Sequence, residues 1–210
     1  MPRQNRVTPF GEIIATPARG TLMGNRGCLH DSQGVIRRSH QGRRWIICLL
    51  AFKGRQRTLM TPGQYTELFF LDEATALAAG HRPCAECQRA RFNQFRTAWV
   101  TANPHLTNTP TPAVAVIDNV LHQERLPPTQ RPRLLLHHCA YLPDGSFVAP
   151  VGEQTAYLVV QGQLLRWSPL GYTPLNSPLA ATTIRLLTPP SVVRTLAQGY
   201  VAGLHPSAGR

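Results

Sequence analysis

The sequence predicts an α+β fold, with short strands and two helices in its first half and a mainly antiparallel β unit in its second. Three observations predict it. Residues 45–52, Trp45 to Phe52, form a continuous apolar run of strand length. Arg43 and Arg44 precede it, and Lys53, Arg55 and Arg57 follow. Residues 88–102 carry apolar side chains at Phe92, Phe95, Trp99 and Ala102, the spacing of one helix face. Ala156 to Val160 leads through Gln161-Gly162 into Leu164 to Trp167, a hairpin signature.

The elements follow in order. Residues 1–27 are rich in Pro and Gly around a short apolar piece at Ile13-Ile14, and read as an extended arm. After the apolar run, Lys53-Gly54-Arg55 predicts a turn into a second strand through Thr58-Leu59-Met60, which Thr61-Pro62-Gly63 ends. Glu67 to Leu71 predicts a short strand. Asp72 caps a helix over 73–79, and Gly80 supplies its left-handed stop. The Phe92-Phe95-Trp99 helix comes next, and the Pro-, Thr- and Asn-rich stretch 104–112 reads as a linker. Two units result, 1–103 and 113–210. In the second, Leu134 to Leu136 leads to a turn at Pro143-Asp144-Gly145 and a strand at Phe147-Val148. The hairpin follows, then a strand over 182–187. Thr188-Pro189-Pro190 opens a last helix, which Gly199 closes.

Charge narrows the function classes. The chain has 22 Lys and Arg against 10 Asp and Glu, a net charge of +12. Residues 1–60 hold 11 basic and two acidic side chains, so the excess lies at that end. Lys53 is the single lysine; arginine, with its planar fork, is the better bidentate partner for phosphate. A field of this sign gathers polyanions, so nucleic acid is the expected partner. No segment approaches the roughly 20 apolar residues that span a bilayer, so no membrane partner is expected. No apolar stretch follows the basic residues 1–6, and the cytoplasm is the expected compartment. The phosphate-binding Walker, dinucleotide-binding, His-Glu-x-x-His and Gly-x-Ser-x-Gly patterns are all missing. Whether the chain is an enzyme, and its oligomeric state, are not set by the sequence.

Five cysteines, an odd number, speak for metal or redox chemistry before a disulfide framework. Cys84-Ala85-Glu86-Cys87 places two sulfurs about one turn apart, so both reach one tetrahedral ion. The pair follows a helix stop and a rigid Arg82-Pro83, and leads into a basic aromatic helix. That setting favours a zinc knuckle over a thioredoxin-like redox pair. Residues 1–103 are therefore expected to be a small zinc-knuckle module packed on the β unit. The second ligand pair falls on Cys28 and His30, in the polar turn after Gly24-Asn25-Arg26-Gly27. His40, Cys48 and His81 are the alternatives, with Cys48 reading as a core thiol.

Phe69-Phe70, Ala74, Leu77-Ala78-Ala79-Gly80, Arg82-Pro83-Cys84 and Cys87 resemble the second half of the Ada-type metal-binding domain. They also resemble zinc modules attached to some thermonuclease-like nucleases. The resemblance covers about 20 residues. It implies zinc and a role in DNA processing or repair, with DNA favoured over RNA. The upstream Cys pair of that family has no counterpart here, so the family's methyl transfer to a zinc-bound thiolate is not carried over.

Arg26, Arg37, Arg38, Arg43, Arg44, Arg82, Arg89, Arg91 and Arg96 are the expected nucleic-acid contacts, with a solvated charged face as the bland alternative. His137-His138-Cys139, near Asp144, offers a further metal or Cys–His grouping, although alternation in a strand sends His138 to the opposite side. Acidic residues are too sparse for an obvious two-metal nuclease centre, although Glu12, Asp118, Glu124 and Asp144 could still converge in space. The catalytic residues are unknown from the sequence. The expected function is a zinc-stabilised, DNA-binding protein. The alternatives are a DNA- or nucleotide-directed enzyme with structural zinc, or a basic protein-interaction module.

Overall fold

A computed structural model describes residues 1–56, 58–125, 135–136, 141–175 and 183–209. The first sheet begins with a hairpin in which β1 (Gln4–Val7) pairs antiparallel with β2 (Ile13–Ala15). It is completed by β3 (Leu22–Asn25), β4 (Ile46–Cys48), β5 (Leu68–Phe70) and β6 (Arg82–Pro83), in the order β2-β1-β5-β3-β4-β6. Two pairings are parallel, β1 with β5 and β4 with β6.

The second sheet contains β7 (Leu135–Leu136), β8 (Phe147–Pro150), β9 (Tyr157–Val160), β10 (Gln163–Ser168), β11 (Gly171–Pro174) and β12 (Ile184–Leu186). Its order is β11-β10-β9-β8-β12-β7, with antiparallel pairing throughout. The fold is thus α+β. At the β9–β10 turn, Gln161 and Gly162 both take positive φ, 51° and 71°, as the two-residue hairpin requires.

Helix α1 (Glu73–Ala78) is buried along its whole length and touches β5 of one sheet and β8 of the other. Asp72 caps it, accepting from the Thr75 amide at 2.8 Å. Gly80 ends it at φ 82°, where a Cβ would stand 2.2 Å from the Arg125 side chain; glycine is required there on both counts. Helix α2 (Arg89–Ala102) buries Phe92, Phe95 and Trp99 and lies against α4 (Pro190–Ala197). Burial of each such aromatic ring stabilises the fold by about 1.5–3 kcal/mol. One core cluster takes Leu68, Leu77, Phe95 and Trp99 together with Ile117, Phe147, Leu158 and Val192, so residues from both sides of 104–112 share it.

Several expectations change. The apolar run 45–52 pairs only over Ile46–Cys48, and Leu50 is exposed. No strand forms at 58–60, because Met60 turns to φ 56° and its amide donates to the buried Glu67 carboxylate at 2.7 Å. The 104–112 stretch opens with a 3₁₀ turn, Pro104–Leu106. Beyond it stands a helix, α3 (Val114–Glu124), which buries Ile117 and Leu121 where β structure was expected. Among the described residues no helix is long and apolar enough to cross a membrane.

Candidate metal centre and the basic groove beside it

Three cysteine sulfurs meet at one end of the first sheet. Cys48 ends β4, opposite Met23 of β3. On the other side β4 runs parallel to β6, with Ile47 opposite Pro83, and the Cys84 amide extends that ladder to the Ile47 carbonyl at 2.9 Å. The chain then turns. The Gln88 amide reaches back to the Cys84 carbonyl at 3.2 Å, the Glu86 amide points at Cys84 Sγ at 3.4 Å, and Gln88 Nε2 donates to the Ile47 carbonyl at 2.9 Å. The Sγ atoms of Cys48, Cys84 and Cys87 thereby lie within 4.8 Å of one another. Two thiolates sharing a zinc ion, each about 2.3 Å from it, stand about 3.8 Å apart. The three can hold a metal ion, and among the described residues no other group of three His, Cys, Asp or Glu comes so close.

Cys48 and Cys84 are buried, Cys87 is half-buried, and Met23, Ile46 and Phe69 wall the cluster. The Cys48 thiol, with the amides of Cys87 and Glu86, stabilises a thiolate on Cys84 and lowers its pKa to about 5. Cys48 moves up through the same bond to Cys84 and through burial, and burial raises Cys87.

The side chains gathered at this point differ from the ligand set expected. Cys28 and His30 do not join Cys84 and Cys87. They follow the end of β3 that pairs with Ile46, whereas Cys48 sits at the other end of that pairing. His30 is buried, with Nδ1 on Thr66 Oγ1 at 2.6 Å and Nε2 on the Thr61 carbonyl at 3.2 Å, so both ring nitrogens hold a loop. Cys28 Sγ points to the His30 carbonyl. Cys48, read as a core thiol, takes their place, because the parallel β4–β6 pairing carries it beside Cys84. His40 lies against Trp45 and His122, and His81 is buried among Trp45, Phe70 and Arg26. His137, His138 and Cys139 lie outside the described residues.

The arginines also divide. Arg26 and Arg82 are buried and do not face solvent; Arg82 spreads its fork over both Asp118 oxygens. Arg37 pairs with Asp31, and Arg91 pairs with Glu73 and lies over Tyr200. Arg96 donates to the Pro112 carbonyl, and the exposed Arg43 to Asn119. Arg38, Arg44 and Arg89 are exposed.

A groove of about 630 Å³ that the sequence did not single out borders the cysteines. Phe69 lines it and also packs on the cysteine cluster. Arg3, Arg6 and Arg19 line it, and no acidic side chain does. The Arg6 guanidinium lies 4.7 Å above the Phe69 ring, and burial and Arg19 both lower its pKa. Arg3 and Arg6 stand in the basic stretch 1–6; the Arg6–Phe69 register of β1 and β5 is the nonlocal contact that gathers the groove.

No family model, no curated protein and no solved structure matches the chain.

Proposed function

We propose that the chain is a zinc protein that binds nucleic acid, DNA in preference to RNA, in the setting of DNA processing or repair in the cytoplasm. Cys48, Cys84 and Cys87 hold the zinc, and the arginine groove takes the phosphate backbone. One observation carries this reading: a soft three-sulfur donor set shares Phe69 with a groove lined by arginines and no carboxylate. Thiolate-rich sets favour zinc among divalent ions, and free thiols suit a reducing compartment. The net charge of +12 and the resemblance of residues 69–88 to the Ada-type half-motif support the same reading.

The test has two parts. Freshly purified, reduced protein should carry one zinc per chain, and its removal should lower both Tm and DNA affinity. Arg6→Gln with Arg19→Gln should weaken binding of a fluorescent oligonucleotide and flatten its salt dependence by about two phosphate contacts. Equal stability and equal binding without zinc, or unchanged salt dependence in the double variant, sinks the proposal.

A second reading has one observation in its favour. Three protein ligands leave a fourth position, which catalytic zinc sites give to water or substrate. That supports an enzyme acting on DNA or nucleotides. Zinc-dependent cleavage of an oligonucleotide that disappears in Arg6→Gln would decide for it.

A further inference from the structure

Trp45 lies against two guanidinium groups. Arg26 Cζ is 4.1 Å from its ring centre and Arg125 Cζ is 3.8 Å. Arg26 is 1% exposed. Its Nε donates to His81 Nε2 at 3.2 Å and its Nη1 to the Gly11 carbonyl at 2.8 Å, while its Nη2 is buried with no partner. Arg125 donates to the carbonyls of Gly80 and Arg43, at 2.6 and 2.8 Å, and its Nε is likewise buried without a partner. An arginine only donates, so His81 meets Arg26 through a ring nitrogen without a proton and stays neutral. His40 and His122 complete the cluster, their rings 5.1 Å apart.

Among the described residues, which include all ten acidic side chains, no side chain forms an ion pair with Arg26 or Arg125. The carboxylates that act on Arg125 are engaged elsewhere, Asp118 on Arg82 and Glu124 on Ser191. Burying an unpaired cation is costly, and an indole face offsets only part of that cost. Two guanidiniums beside one ring call for a dianion, because a single carboxylate would leave one of them unbalanced. A phosphate monoester carries close to two negative charges at neutral pH and offers three oxygens to such donors.

We infer that the Arg26–Trp45–Arg125 cluster is a binding site for a phosphate monoester group, with Arg26 Nη2 and Arg125 Nε as its unused donors and His40 and His122 beside it. The group belongs to a small phosphorylated molecule or to the terminal phosphate of a nucleic-acid strand. A backbone phosphodiester, with one charge and two bulky neighbours, fits a buried donor poorly. This inference rests neither on the zinc nor on the arginine groove.

The experiment titrates the intact protein, as purified, with inorganic phosphate, following Tm, bound heat and the His40 and His122 ring resonances. Saturable binding of one phosphate per chain is expected, with a Tm rise above that of sodium chloride at equal ionic strength and shifts at both histidines. Acetate should do neither. Arg125→Gln, at the partly exposed edge, should weaken phosphate binding at least tenfold; Arg26→Lys, which keeps the charge but loses the fork, serves as the second variant. Arg19→Gln, in the groove, should leave it unchanged. Tighter binding of a 5′-phosphorylated oligonucleotide than of the unphosphorylated strand would assign the phosphate to a strand end. Equal binding of the two, with phosphate binding retained, would assign it to a small ester. No phosphate-specific rise in the wild type, or full affinity in Arg125→Gln, overturns the inference.

Discussion

Arg82 sets Nε and Nη2 against the two Asp118 oxygens at 2.7 and 2.9 Å, and neither side chain is more than a tenth exposed. The bond ties β6, two residues before Cys84, to α3. Removing one partner strands a buried charge, at about 3–5 kcal/mol. Asp118→Asn should therefore lower the free energy of unfolding, measured by denaturation, by that amount. The double variant Arg82→Met with Asp118→Leu should recover most of it. A single variant within 1 kcal/mol of wild type, about the worth of an exposed pair, would show that the pair is solvated.

The metal set predicts an asymmetry between two cysteines. Cys48→Ser should lose bound zinc and Cys28→Ser should retain it, as metal analysis of reduced protein will read. Ion binding must also displace protons from Cys48 and Cys87, whose pKa values are raised, whereas Cys84 at about 5 is already a thiolate. Affinity for zinc should accordingly climb by about two decades per pH unit near neutrality.

Acid should destabilise the protein through its histidines. Burial, then Arg26 and Arg125, pushes His81 well below 6.5; burial and nearby arginines also lower His40 and His122. Below about pH 6.5 the unfolded chain binds protons that the folded chain refuses, so stability is complete above that pH and falls beneath it. His81→Gln keeps an acceptor for Arg26 and cannot charge. Its midpoint should decline less between pH 6.5 and 5 than that of wild type.

Asp72 accepts from the Thr75 amide and hydroxyl, the Tyr172 hydroxyl and the His205 amide. Asp72→Ala removes the cap of α1 and leaves buried donors unmatched, a loss on the order of 3 kcal/mol. Amide exchange should quicken at His205 as well as in α1. Faster exchange confined to α1 would show that the tail is held by other contacts.

Local chemistry made much of this legible. The Asp72 cap, the Gly80 stop, the Phe92-Phe95-Trp99 face and the Gln161-Gly162 turn each lie within a few residues of what they control. Cys48 escaped because its neighbour is 36 positions away, reached through a two-residue parallel pairing that leaves no periodic trace. Helix α3 did leave one, at Val114, Ile117 and Leu121. The linker reading of the preceding prolines overrode it. Arg26 read as a surface cation because guanidinium burial is decided by Trp45, Gly11 and His81, all distant in the chain.

The anchoring of α1 also sets an order of events. Tyr200 and the amides of Gly203 and His205 bind the carboxylates of Glu73 and Asp72 at the start of that helix. Until residues 200–205 are in place, the two carboxylates at the start of this helix therefore lack three of their donors. Closure of the half that carries the cysteines should thus depend on residues 200–205 being in place.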